Sequence, residues 1–192
     1  MHLNLTDPRL IAGVVVFVLI IVVGFALLVR NRRKTTAGFR KRFGSEYDRA
    51  VLEHGSERKA EAKLADRETR VENLKIRALT AAERGRFLAD WQSVQSRFVD
   101  HPKSAVTEAD ELVSSLMQAR GYPVADFDQR AADISVDHPR LVENYRSAHG
   151  VVVRLGRDEA GTEDLRTAMI QYRNLFDELV EEQTPVGIKA VA

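Results

Sequence analysis

Apolar residues fall into two regimes along this chain. From Leu10 to Val29 they form an unbroken run of 20 residues with no charged or strongly polar side chain. From Phe43 to about Gln183 they recur instead at spacings of three and four, with polar residues between them. The first regime predicts a transmembrane helix: at ~1.5 Å per residue it reaches ~30 Å, the thickness of a hydrocarbon core. The second predicts amphipathic helices, and no stretch alternates as a half-buried strand would. The fold class expected is all-α, an N-terminal transmembrane helix followed by a soluble multi-helix bundle.

Start and stop signals divide the second regime. Ser45-Glu46-Tyr47-Asp48 resembles a capping box, with Asp in place of Glu, and Gly55 is a plausible stop. Ser56 then caps a stretch whose seam is Ala60, Leu64, Val71, Leu74 and Ala78, with Arg67 in the missing step. Thr80-Ala81-Ala82-Glu83 is a full capping box, and Phe87, Trp91, Val94 and Phe98 follow on one face. This 4,3 spacing resembles a coiled-coil seam, and it predicts that Trp91 is core rather than a ligand-stacking surface. Asp100-His101-Pro102 starts a helix presenting Val106, Ala109, Val113 and Leu116, which ends at Gly121. A short helix is expected over Ala125–Ile134. Val136-Asp137-His138-Pro139 repeats Val99-Asp100-His101-Pro102 and is read as another helix start, with the seam Leu141, Tyr145, Ala148, Val152, Leu155 and a stop at Gly156. Thr162 is expected to cap the last helix, which carries Leu165, Met169, Tyr172, Phe176 and Leu179.

The predicted organisation is therefore a short extracytoplasmic N-terminus (1–9), the span (10–29), a basic juxtamembrane linker (30–42), the bundle (43–183) and a disordered tail (184–192). About 140 residues suffice for one core. A cleaved signal peptide fits less well. The apolar run is too long, no small-residue cleavage site follows Val29, and Arg30-Asn31-Arg32-Arg33-Lys34 is a stop-transfer pattern. Gly13 and Gly24 form no Gly-x-x-x-Gly pair, so nothing supports dimerisation through the span.

Charge sharpens the picture locally, not globally. Overall, 29 Lys+Arg balance 28 Asp+Glu, which excludes a globally basic nucleic-acid coat. Yet Arg30, Arg32, Arg33, Lys34, Arg40, Lys41 and Arg42 crowd into 13 residues free of acids. The nine residues before the span hold one Arg and one Asp. By the positive-inside rule the bundle is cytoplasmic and the N-terminus outside. The same seven residues are the candidate contacts to anionic lipid headgroups, at ~1 kcal/mol each near a charged surface, and Phe39 and Phe43 are placed to dip into the interface. Topology alone accounts for the first four charges; Arg40-Lys41-Arg42 makes the better case for added lipid contact. Between Glu57 and Arg77, seven bases alternate with five acids, as on a solvated or partner-binding helix face rather than a nucleic-acid stripe.

Candidate chemistry is sparse. With no cysteine, thiol catalysis and zinc ribbons are excluded. Phosphate-loop, nucleophile-elbow, Glu-x-x-His and His-Glu-x-x-His patterns do not occur. The two Val-Asp-His-Pro copies offer Asp100, His101, Asp137 and His138 as a carboxylate–imidazole metal site; the competing reading is that each copy is only a helix start. His54 and His149 read as helix-surface or boundary residues. The expectation is a non-enzymatic scaffold or adaptor with no cofactor, anchored in the membrane and serving a protein partner of unspecified identity. The alternative is a ligand- or metal-binding bundle, an enzyme included, built on those Asp/His positions.

Arg42-Phe43-Gly44-Ser45-Glu46-Tyr47-Asp48-Arg49, Arg120-Gly121-Tyr122-Pro123-Val124, Arg130-Ala131-Ala132-Asp133 and Val136-Asp137-His138-Pro139 resemble an uncharacterised family of single-pass proteins of high-GC bacteria, often labelled "secreted" or "membrane" protein. The resemblance implies a bacterial inner-membrane location and transfers no activity, cofactor or catalytic residue.

Overall fold

A computed structural model describes Phe17, Ile21, Val23, Gly24 and residues 35–181. The protein is all-helical over these residues. Among them no helix is long and apolar enough to cross a membrane. The apolar run Leu10–Val29 lies outside them except for four positions, all with helical backbone. The predicted N-terminus, Arg30–Lys34 and the tail 184–192 also lie outside.

Residues 35–43 form α1. Seven helices follow: α2 Ser45–His54, α3 Glu57–Glu72, α4 Ala81–Phe98, α5 Pro102–Ala119, α6 Phe127–Asp137, α7 Val142–Leu155 and α8 Thr162–Glu181. Helices α4, α5, α7 and α8 make the main bundle, with α7 on α8, α4 on α5 and α5 on α8 as its broadest contacts. Its core includes Trp91, Val106, Leu116, Tyr145, Tyr172 and Phe176. A second core gathers Phe43, Tyr47, Ala50, Ala60, Leu64 and Val71 between α1, α2 and α3. Helix α6 joins the two. It buries Ala131 and Ile134 in the main core and Val136 in the second.

Local signals place most boundaries. Gly55 stops α2 at φ 75°, and the Ser56 side chain accepts from the Lys59 amide to start α3. Thr80 and Glu83 form a reciprocal capping box, and the Arg77 guanidinium bonds to Glu83, holding its carboxyl well below the usual carboxylate range. Gly121 ends the turn after α5 at φ 100°. There the chain crosses the loop between α3 and α4, where the Arg77 amide donates to the Arg120 carbonyl at 2.8 Å. A Cβ on Gly121 would stand 2.4 Å from the Lys75 carbonyl oxygen. Gly121→Ala is therefore expected to destabilise by about 1–3 kcal/mol, through a strained left-handed backbone and a shift of that loop. Chemical denaturation of the variant checks this; a loss below about 0.5 kcal/mol would refute it. Beside this turn, fully buried Arg120 donates through Nη1 to the Leu179 carbonyl in the last turn of α8, at 2.9 Å. Cations are favoured at that helix end.

Several expectations are corrected. Ser45 caps nothing: Gly44 stands at the N-cap with φ 54°, and the Ser45 hydroxyl donates to Glu143 on α7 at 3.0 Å. Asp48 pairs with Arg40 instead of closing a box. Helix α3 ends before its predicted seam does. Asn73 at the C-cap donates its side-chain amide to the Thr69 carbonyl, and Leu74 reaches both cores from the loop. The short helix runs to Asp137, three residues past its predicted end, because Asp126 caps it and Val136 finds a core to fill. Consequently the second Val-Asp-His-Pro ends a helix instead of starting one: His138 is the C-cap and Pro139 lies in the turn beyond. Helix α7 buries Val142 and Val151 with Tyr145 and Ala148, leaving Leu141 and Val152 half-buried, so its inner face is turned from the predicted seam. Thr162 is the first residue of α8; the Gly161 amide before it donates to Asp164.

Candidate functional site

Three helices carry the chain from the apolar run to the main bundle, and their register is fixed by side chains. Thr36 donates to Glu61 at 2.6 Å, and Arg42 pairs with Glu68 at 2.8 Å, so α1 runs parallel to α3. Arg40 lies over the Tyr47 ring at 5.2 Å and pairs with Asp48 at 3.4 Å, so α2 returns antiparallel to α1. The predicted basic linker is thus helical from residue 35. Phe43 does not face lipid: it is fully buried in the second core, and half-buried Phe39 stacks on it at 6.1 Å. Burying the pair against Tyr47 and Leu64 removes more apolar surface from water than an interfacial position would. Of the seven lipid-contact candidates, Arg30, Arg32, Arg33 and Lys34 lie outside the described residues. Arg40, Lys41 and Arg42 are exposed on α1.

Where this three-helix unit meets the main bundle, charge is buried. Glu46, only 3% exposed, accepts from Arg146 Nε at 3.0 Å and Nη2 at 3.3 Å, and from Arg67 Nη1 at 3.5 Å. Burial draws the Arg67 pKa below its ordinary value, and Glu46 opposes the shift. A turn further along α3, Arg70 Nε donates to fully buried Asp133 on α6 at 2.8 Å, and Gln129 donates to the same oxygen. Beside these pairs a cleft of about 410 Å³ opens between the two units. Lys63, Arg67 and Arg70 of α3 line one side, and Asp128 of α6 with its cap Asp126 the other. Arg67 and Arg70 are paired with Glu46 and Asp133 behind the lining, and Lys63 stands 3.8 Å from Asp66 on the wall itself. The cleft acts as a polar seam, a joint that sets one unit against the other.

A second polar knot lies inside the main bundle. Tyr172 on α8 donates to Asp110 on α5 at 2.8 Å, and His149 Nδ1 on α7 stands 3.3 Å from the same oxygen. His149 is half-buried, not a surface residue, and stacks flat on Phe127 at 3.7 Å. Burial first, and then the Asp110 charge, raise the Tyr172 pKa far above its ordinary value. The phenol therefore stays protonated and acts as a fixed donor tying three helices together.

The two Val-Asp-His-Pro segments do not form a ligand set. Asp100 and His101 are exposed at the head of α5, where His101 occupies the N-cap without a side-chain cap bond. His138 is buried, with Nδ1 3.7 Å from Glu178 of α8, and Asp137 accepts from the Tyr122 hydroxyl at 3.2 Å. Among the described residues no three His, Asp or Glu side chains converge as a metal site would require. His54 sits half-buried at the end of α2 on the rim of the cleft.

Sequence reasoning missed the Glu46–Arg67–Arg146 and Arg70–Asp133 pairs. One signal was available: Arg67 interrupts an apolar seam, and a buried cation there requires a buried anion from elsewhere. No protein-family model, curated protein or solved structure matches this chain.

Proposed function

We propose that this chain is a membrane-anchored helical-bundle scaffold or adaptor on the cytoplasmic face of a bacterial inner membrane, acting without catalysis. The apolar run Leu10–Val29 supplies the anchor, and the seven bases after it set the orientation. The observation that carries the reading is the attachment of α1. A scaffold must hold its platform at a defined place relative to the bilayer. The helix nearest the run is clamped to α2 and α3 by buried Phe43 and by the Thr36–Glu61 and Arg42–Glu68 bonds. The ion-paired joint then fixes that unit to the main bundle. Mixed charges along α3 leave a solvated face suited to a protein partner. The resemblance to single-pass proteins of high-GC bacteria agrees with this location.

Reporter fusions at the C-terminus test the topology. Alkaline phosphatase, which needs export, is expected to be inactive, and a fluorescent protein to glow. Strong phosphatase activity would place the bundle outside the cytoplasm and overturn the proposal. Crosslinking in intact membranes followed by mass spectrometry is expected to capture a protein partner.

A further inference from the structure

Resting on the anchor reading, we infer that the turn between α2 and α3 is a second membrane contact, in which Leu52, Arg58 and Lys59 meet an anionic lipid surface. The argument starts from register. Thr36 is level with Glu61 and Arg42 with Glu68, an offset of about 25 positions along parallel helices. Arg40 is level with Asp48 on the antiparallel neighbour. Both offsets put Gly55 and Ser56 beyond the Thr36 end of α1, the end that follows the apolar run in the chain. Five residues separate Ser56 from Glu61, about 7.5 Å at helical rise, so the turn stands about that far past the level of Thr36.

The chemistry of the turn suits that position. Leu52 is 85% exposed, the most exposed large hydrophobic side chain among the described residues. Arg58 and Lys59 are exposed, and neither forms an ion pair among those residues. Glu53 and Glu57 are the acids nearby, and Glu53 stands 3.9 Å from His54. Arg49, exposed on α2, adds a further cation one turn from Leu52. An apolar side chain flanked by unpaired cations gains from a bilayer in two ways: the leucine leaves water, and the cations meet lipid phosphates. In a protein held off the membrane, the same leucine would be simply solvated. With α1 and this turn both touching the surface, the three-helix unit has two supports and holds the bundle at a fixed attitude.

The chain has no cysteine, so single-cysteine labelling is clean. Leu52→Cys, Phe17→Cys and Glu72→Cys are each made in the full chain, labelled with a fluorophore and reconstituted in phosphatidylglycerol-containing vesicles. Glu72 is the control: it is exposed on the same helix as Arg58, fifteen residues beyond Glu57 and about 22 Å farther along. Headgroup nitroxide lipids are expected to quench the label at 52 at least threefold more than the label at 72. Acyl-chain nitroxides are expected to quench the label at 17. Quenching at 17 with no difference between 52 and 72 would overturn the inference and leave the anchor standing. No quenching at 17 would overturn the anchor and the inference with it. Arg58→Glu combined with Lys59→Glu is expected to halve the quenching at 52; unchanged quenching would overturn the role of the two cations.

Discussion

Trp91→Ala is expected to destabilise the protein by about 3–5 kcal/mol, the cost of truncating a large aromatic in a packed core. Trp91 is 4% exposed and stacks on Phe176 with ring centroids 4.7 Å apart and planes inclined by 16°. It joins α4 to α8, two helices that otherwise touch little. Its indole nitrogen is buried without a hydrogen-bond partner, so the side chain serves by its apolar bulk. Trp91→Phe keeps much of that bulk and orphans no polar group, and is expected to cost less than about 1.5 kcal/mol. A domain of this size is stable by only about 5–15 kcal/mol, so the alanine variant loses a large fraction of the total. For the chain from residue 35 onward, thermal unfolding followed by circular dichroism is expected to show a midpoint roughly 6–20 °C lower. An unchanged midpoint would mean that Trp91 is not a core residue.

Glu46→Ala is expected to be equally costly, about 3–5 kcal/mol, for an electrostatic reason. The carboxylate is the shared counter-ion of Arg67 and Arg146, whose side chains are each only 14% exposed. Its removal leaves two cations near one another and cut off from most of the water. Asp128, 3.6 Å from Arg146, is no substitute, because its side chain is 89% exposed and its field is screened by solvent. Burial already pulls the Arg67 pKa down; without Glu46 only the smaller effect of Glu53 opposes that penalty, and Arg146 and Arg70 add to it. Replacing all three together, as Glu46→Leu, Arg67→Met and Arg146→Leu, is expected to be close to neutral, since it removes the buried charges along with their partner. Denaturant titration of both variants checks the pair of outcomes. A Glu46→Ala loss under about 1 kcal/mol would show that the arginines relax into water, leaving the network without structural weight. Hydrogen exchange offers an independent view: in Glu46→Ala, amides of α2 and α3 are expected to open before those of the main bundle.

Both predictions bear on how the three-helix unit and the main bundle act together. The apolar core around Trp91 holds the helices of the main bundle together. The charged joint instead sets how the three-helix unit sits on it. Buried ion pairs of this kind have stringent geometry, so they favour one docking arrangement even where apolar side chains would bind as strongly. On the proposed scaffold reading, that arrangement is what sets which faces point toward the bilayer and which toward a partner.

What the sequence determined by itself is whatever depends on neighbours three or four positions away. Helical periodicity showed that the region after Phe43 is all-α and put Phe87, Trp91 and Val94 on one buried face. Glycine and hydroxyl positions marked Gly55, Ser56, Thr80 and Gly121 as boundaries, because a left-handed φ or a cap bond is decided within a few residues. Tertiary structure decided the rest. Val-Asp-His-Pro starts a helix at Pro102 but ends one at His138, since Val136 is drawn into a core assembled from α1, α2 and α3. Phe43 turned inward, away from any interface, because Tyr47 and Leu64 are there to receive it. Glu46 looked like one more acid in a helix's first turn; its two arginines lie 21 and 100 positions away. A buried charge is tolerated only where a distant partner arrives, and that pairing is a property of how helices dock, which no local pattern encodes.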